Sequence, residues 1–328
     1  MKTIQEFESF FRNSMYEDLS HLEQRRKRIL KFAYRAIFLS IILIAATVAL
    51  AIAVFQENEY FGLIILAGVV ISIVIGIIYF RVKGRDKTFY NDFKEKVINA
   101  LVKFISPDLV YNAKNHIGLD SFQRSRIFLT GVDRYRGDDM VEGKIDKTQI
   151  WFSEVNAEYK RTTTDSKGRT KTTWHRIFKG LFFIADFNKH FSTSTVVLPN
   201  RLGRGGFARF FQKMNFARKE KLVSMEDLDF NKYFVVYGED QIEARYVLST
   251  SLMKRITDFK KSHKNPVFIS FVNSFLYVAI GHNKDLFEPS YFKRLNRFEI
   301  VKEYFEDLQL AVGIVEDLNL NNRIWTKQ

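Results

Sequence analysis

The residue types that catalysis and metal binding draw on are sparse and scattered in this sequence. Cysteine is absent, which removes disulfides, thiolate nucleophiles and sulfur-ligated metals. His21, His116, His175, His190, His263 and His282 show no H-x-x-x-H or HExxH spacing. Asp186 and His190 stand four apart, a helical juxtaposition, but their segment reads as a strand end entering a loop. No metal site and no cofactor are therefore expected. No G-x-S-x-G elbow and no Ser/His/Asp set stands out. Glu239, Asp240 and Glu243 cluster, and Arg245 with a helix N-terminus accounts for them electrostatically. Glu288 is a lone carboxylate before Pro289. Paired carboxylates for acid–base work require geometry that spacing does not supply.

The most distinctive stretch runs from Arg201 to Lys221, RLGRGGFARFFQKMNFARKEK. Gly203, Gly205 and Gly206 permit unusual backbone angles, and Arg201, Arg204, Arg209 and Lys213 supply cations. Backbone N–H groups and arginine at a helix start would suit a phosphate or an anionic lipid headgroup. The Lys-Ser/Thr ending of a P-loop is missing, so a nucleotide triphosphatase is not expected. A glycine-rich turn leading into a solvated basic helix, with Phe207, Phe210, Phe211 and Phe216 buried, explains the same residues without a ligand.

Those residues need a scaffold, and the scaffold begins with two apolar runs. Residues 36–55 and 61–80 contain no charge, and each matches the roughly 30 Å hydrocarbon core of a bilayer. Only residues 56–60 separate them, enough for a tight turn. The reading is a transmembrane helical hairpin over residues 36–80. Arg25, Arg26, Lys27 and Arg28 precede it, Arg81, Lys83 and Arg85 follow it, and the turn carries Glu57 and Glu59. Lys and Arg mark the cytoplasmic side, which puts both termini inside. Ala45, Ala49 and Ala53 face Gly68, Ser72 and Gly76 in an antiparallel hairpin, with Ala49 near Gly68 and Ala45 near Ser72. No ionisable residue lies within either run, so an anchor is expected rather than a transporter.

Ahead of the hairpin, residues 1–35 open with Thr3 and Glu6 at capping-box spacing. Ile4, Phe7, Phe11, Met15, Leu19 and Leu22 follow as one apolar stripe, which needs cover from this chain or from another subunit. Residues 86–328 read as a cytosolic α+β domain with mostly antiparallel strands and flanking helices. A helix from Phe89 ends before Pro107. Strands are expected over Thr148–Tyr159 and Trp174–Phe187, forming a long-looped or an extended hairpin across the polar segment between them, and over Thr195–Leu198 and Tyr233–Tyr237. Asp240–Leu248 and Ser251–Lys261 read as helices. Val267–Phe271 and Phe275–Ile280 form a hairpin about Asn273-Ser274, and a last helix covers Asn296–Leu318. Thirty-three phenylalanines suit a well-packed core.

The two-span layout, Gly180–Phe191 (GLFFIADFNKHF), Thr195–Pro199 (TVVLP), Tyr237–Leu248 (YGEDQIEARYVL) and Phe287-Glu288-Pro289 resemble a bacterial membrane family labelled domain of unknown function 3137. The resemblance implies a membrane-associated bacterial protein without an established activity, and it brings no catalytic residues. The formal charge of +14 suits anionic headgroups, whereas nucleic acid is favoured by charge alone. The expected function is non-enzymatic: an inner-membrane protein whose cytosolic domain binds a protein partner or the anionic membrane surface. The alternative is a membrane-tethered enzyme acting on a phosphate-bearing or lipid substrate, with Arg201, Arg204 and Arg209 as anion ligands.

Overall fold

The computed structural model describes residues 2–55, 61–84, 87–187, 189–200 and 220–320. The chain divides into two units. One comprises Thr3–Val97 with Glu288–Glu303, and the other comprises Met1–Lys2, Ile98–Phe287 and Tyr304–Gln328.

In the first unit the Thr3 and Glu6 side chains cap each other's backbone N–H groups and start α1 (Ile4–Phe10). A π-wound stretch, Phe11–Met15, leads into α2 (Tyr16–Phe55). Of the expected stripe, Phe7, Phe11, Met15, Leu19 and Leu22 are buried, but Ile4 is 46% exposed. The cover comes from this chain: the Phe298 ring lies 5.3 Å from Phe7 and 5.5 Å from Phe11. The returning segment Glu288–Glu303 is fastened by a buried pair. Arg26 donates to both oxygens of Glu23 at 2.7 and 2.8 Å and to the Tyr291 carbonyl, while Glu23 also accepts from the Leu295 N–H at 3.0 Å. Burial pushes the Glu23 carboxyl up, yet Arg26 and the Leu295 N–H outweigh it and hold it below its ordinary value.

Helix α3 (Phe61–Gly84) lies against α2, with Gly68 facing Thr47 and Gly76 facing Ser40. The helices meet in a different register from the expected one: Thr47, not Ala49, sits opposite Gly68. Hydroxyls that bond within their own helix set this contact, and they need no polar surroundings. Ser40 donates to the Ala36 carbonyl at 2.9 Å, Thr47 to Ile44 at 2.8 Å and Ser72 to Gly68 at 2.8 Å. Among the described residues one helix, Ile4–Ala49, is long and apolar enough to cross a membrane, and Ile65–Ile77 is a shorter apolar helical stretch. The turn at 56–60 lies outside the described residues. Helix α4 (Lys87–Phe93) and a second π-wound stretch (Lys94–Ile98) complete this part, with Lys94 paired to Glu288 at 3.1 Å.

The second unit begins with α5 (Asn99–Ile105), which ends before Pro107 as read from the sequence. Nine strands make one sheet among the described residues. They are β1 (Val110–Asn112), β2 (Arg134–Ile145), β3 (Thr148–Thr164), β4 (Thr170–Asp186), β5 (Thr195–Pro199), β6 (Lys221–Val223), β7 (Phe234–Gly238), β8 (Val267–Val272) and β9 (Phe275–Gly281). Their order is β1-β2-β3-β4-β9-β8-β5-β7-β6, and every neighbouring pair is antiparallel. Helices α6 (Leu119–Arg124), α7 (Leu228–Tyr233), α8 (Gln241–Val247) and α9 (Thr250–Ser262) connect them, and α10 (Phe298–Asp317) carries the chain out of the first unit.

Strand β8 is buried at every position and β9 nearly so, so the sheet centre is covered on both faces. That is why these strands read as continuous apolar runs. On one face α6 and the segment after it pack aromatics: Phe122 stacks on Phe128 at 5.3 Å and touches Phe182 at 5.2 Å, and Phe128 meets Phe178 and Phe268. Leu181, Phe183 and Ala185, which alternate with that cluster along β4, are buried on the opposite face. The β8–β9 turn at Asn273-Ser274 has φ of 52° and 62°, the mirror-image turn that two-residue hairpins favour.

Three strands were not expected. β1 and β6 are three residues each, and β2 carries Arg134, Arg136, Asp138, Asp139, Glu142 and Lys144, which hide any apolar alternation. For the polar segment between the long strands, the structure takes the extended form of the hairpin. The β3–β4 ladder continues to Thr164 opposite Thr170, with the Thr162 and Thr172 hydroxyls 3.3 Å apart. Threonine suits a pleated, solvated ladder as well as it suits a loop. Only residues 165–169 remain for the turn.

Candidate functional site

The candidate site is built where β2 breaks its register. Between Asp138, opposite Glu154, and Val141, opposite Phe152, strand β2 spends two residues, Asp139 and Met140, against the single Ser153. This bulge places Asp139 in the left-handed region (φ 58°) and fully buries it. Asp tolerates that conformation better than most residues. The Tyr111 hydroxyl donates to Asp139, and the Asp139 N–H reaches the Ala113 carbonyl at 3.4 Å. Asp138, Asp139 and Glu154 thereby bring a carboxylate oxygen each within 4.8 Å of one another.

A cavity of about 220 Å³ adjoins them, lined by Asp138, Glu154, Asn156, Lys179 and Asp285 among others. Glycine lets neighbouring groups pack close beside the cavity: an added Cβ at Gly137 would meet the His116 side chain, and one at Gly281 would meet Pro266. Gly137 and Gly180 sit opposite Val155 from either side, and Gly281 sits opposite Gly180, so a row across four strands has one side chain. At Gly180 (φ 149°) a Cβ would stand 2.1 Å from the Ile280 carbonyl oxygen, so no other residue fits. Lys179 pairs with Asp285 at 2.7 Å. The Asn156 side-chain oxygen is buried without a hydrogen-bond partner among the described residues.

Glu154 is the group that this environment changes most. Burial, then the charges of Asp139, Asp138 and Asp285, push its carboxyl up to about 8, against the opposing effect of the Leu286 N–H, which donates to it at 2.7 Å. A carboxyl that stays protonated at neutral pH can donate a proton or a hydrogen bond. Three carboxylates at this spacing are also a donor set for a hard divalent cation, which would have to displace that proton.

A second charged centre ties the β5 end of the sheet together. Arg126 (φ 56°) reaches Glu220 at 3.0 Å and Glu239. The Glu220 side chain is fully buried, accepts from the Ser194 hydroxyl at 3.3 Å, and has its other oxygen without a partner among the described residues. Burial raises Glu239, but the Ser194 N–H and Arg126 prevail and hold it down. Glu243 accepts from the N–H groups of Ser192 and Thr193 at 2.8 and 2.7 Å, and Asp240 caps α8 by accepting from Glu243 N–H. Of the acidic cluster, Glu239 pairs with Arg126 and Asp240 caps the helix N-terminus as expected, whereas Arg245 donates to the Ser224 carbonyl.

Arg201, Arg204, Arg209 and Lys213 lie outside the described residues, as does Arg85, and the Arg81 and Lys83 side chains are not described either. Among the other basic flanking residues, Arg25 pairs with Asp92 and Arg26 with buried Glu23, whereas Lys27 and Arg28 form no ion pair among the described residues. Sequence reasoning missed Asp138, Asp139 and Glu154. The available signal was two adjacent aspartates inside a strand, where Asp is depleted.

No curated protein sequence matches this chain. Among solved structures, the mycobacterial trehalose monomycolate transport factor A, TtfA, is similar with a TM-score of 0.32 and 9% identity, over 66% of this chain and 94% of that one. Residues 176–320, which run from within β4 through α10, match the family model described as protein of unknown function DUF3137, and this is the family that the sequence motifs resemble.

Proposed function

We propose that this chain is an integral protein of a bacterial inner membrane, with both termini and the sheet unit in the cytosol. The sheet unit there binds a protein partner or the anionic membrane surface. The observation that carries this reading is the bare outer face of α2 and α3. Phe38 and Leu39 are each 63% exposed, Leu66 59%, and Ile41 and Ile71 58%. Water-soluble monomers seldom expose contiguous apolar surface on that scale, and a bilayer covers it. The basic residues at both outer ends, against Glu57 and Glu59 in the turn, favour the cytosolic orientation.

Because cysteine is absent, single cysteines report topology directly. A cysteine at Glu57 should react with an impermeant thiol reagent in intact cells, and one at Lys167 only in inverted vesicles. The reverse pattern, or no protection of either, rejects the topology. Full-length protein purified from native membranes, quantified against a chain ending at Lys87, tests the partner. A discrete protein enriched with the full chain supports it, and equal recovery removes it.

The second reading is the membrane-tethered enzyme, favoured by a Glu154 carboxyl titrating near 8 beside a cavity. Turnover of phosphate-bearing lipids that disappears in Glu154→Gln with the fold retained would support it. Equal turnover in both proteins, or none in either, would remove it.

A further inference from the structure

Lys27, Lys31 and Arg35 recur every fourth residue along α2, and Leu30, Tyr34 and Phe38 recur at the same step beside them. At 100° per residue the two rows share one arc of about 140°. Together they line an open groove of about 490 Å³. Leu30 is half-buried and the other five are exposed. The three cations form no ion pair among the described residues, unlike Arg25 and Arg26 just before them. Like charges at four-residue spacing disfavour a helix, so an anion lying along the row satisfies all three and relieves their repulsion.

We propose that this groove binds an anionic phospholipid, its phosphate headgroup along Lys27, Lys31 and Arg35 and an acyl chain against Leu30, Tyr34 and Phe38. A free phosphate would use only the charged row and leave the apolar row in water. A lipid uses both at once. The groove spans about 16 Å at 1.5 Å per residue, which reaches from headgroup level into the hydrocarbon. The apolar row steps from Leu30 to Phe38 in that direction, with Tyr34 between, the residue type that settles at the membrane interface. The inference rests on the membrane-anchored reading above.

The test uses full-length protein in nanodiscs of mixed phosphatidylcholine and phosphatidylglycerol, with retained lipids counted by native mass spectrometry. Wild type should retain phosphatidylglycerol well above its share of the bilayer. At about fivefold per cation near an anionic headgroup, Lys27→Gln/Lys31→Gln/Arg35→Gln should lose at least tenfold of that preference. Tyr34→Ala/Phe38→Ala should lower retention of both lipids, and millimolar inorganic phosphate or glycerophosphoglycerol should not compete. An unchanged preference in the triple variant overturns the proposal. So does competition by phosphate, which would assign the row to a free anion. Carbonate extraction of each variant from membranes separates the two readings. A wild-type protein that leaves the bilayer rejects the anchor itself, whereas an embedded protein without lipid preference rejects only the site.

Discussion

Replacing Glu154 by Gln should make the protein more stable at alkaline pH and change it little at acid pH. The Glu154 carboxyl stands above the ordinary value of 4.5, at about 8. The folded state therefore holds a proton that the unfolded chain has released. The associated stability is complete below pH 4.5 and is lost as pH rises through about 8. At about 1.4 kcal/mol per unit, the gap between 4.5 and about 8 sets a ceiling of about 5 kcal/mol. Between pH 6 and pH 9 the loss works out at about 2–3 kcal/mol, or about 5–10 °C in Tm for a unit of this size.

Glutamine removes the titration and keeps the contacts. Its amide oxygen still accepts from the Leu286 N–H, and its amide hydrogens face Asp138 and Asp139 in place of the proton. Thermal unfolding of the full chain in detergent, followed by tryptophan fluorescence, is a suitable assay because Trp151 in β3 and Trp174 in β4 report on the sheet. The melting temperatures of the two proteins should agree near pH 5 and separate steadily to pH 9, with the variant higher. If both fall in parallel across that range, Glu154 is ionised in the folded state and the carboxylate cluster does not hold a proton.

Glu23→Ala leaves Arg26 buried and uncompensated and should cost about 3–5 kcal/mol, read by chemical denaturation. Glu23 lies below its ordinary value, so the stability it contributes is present above pH 4.5 and is lost as pH falls through its folded value. Melts of wild type and Glu23→Gln should accordingly converge in acid. Gly180→Ala places a methyl against the Ile280 carbonyl at a φ that side chains avoid. It should cost at least about 3 kcal/mol and speed amide exchange in β4 and β9, whereas unchanged exchange would mean the strands accommodate it. Arg126→Met strips the buried Glu220 of its cation, with about 3–5 kcal/mol lost, while Arg245→Met should stay within about 0.5 kcal/mol.

What was legible in the sequence depended on whether one segment carried its own signal. The capping box at Thr3 and Glu6, the long apolar helix α2, the stop before Pro107 and the Asn273-Ser274 turn are local, and the structure has each of them. Strand β2 failed because half of its face is solvated and its bulge interrupts the period of two. The register of α2 on α3 failed because small residues at several positions permit close approach. Hydroxyls at Ser40 and Thr47 that satisfy themselves are as good a contact surface as alanine.

The carboxylate site illustrates the same division more sharply, because no residue in it is unusual by itself. Glu154 belongs to a strand whose alternate residues face the aromatic cluster, and Asp138 opposes it only under the observed pairing. A slip of one residue would exchange the faces, sending Glu154 toward Phe122 and Phe178 and bringing Val155 to the cavity. The pairing is held by features far apart in sequence. The bulge at Asp139 is anchored by Tyr111, the Ser153 hydroxyl accepts from the Ile117 N–H at 3.0 Å, and Gly180 admits the Ile280 backbone. Each of these is a backbone or register event, invisible to spacing rules. The electrostatics of Glu154 is therefore a property of the sheet's assembly, and a perturbation that leaves every carboxylate in place but frees the register should abolish it.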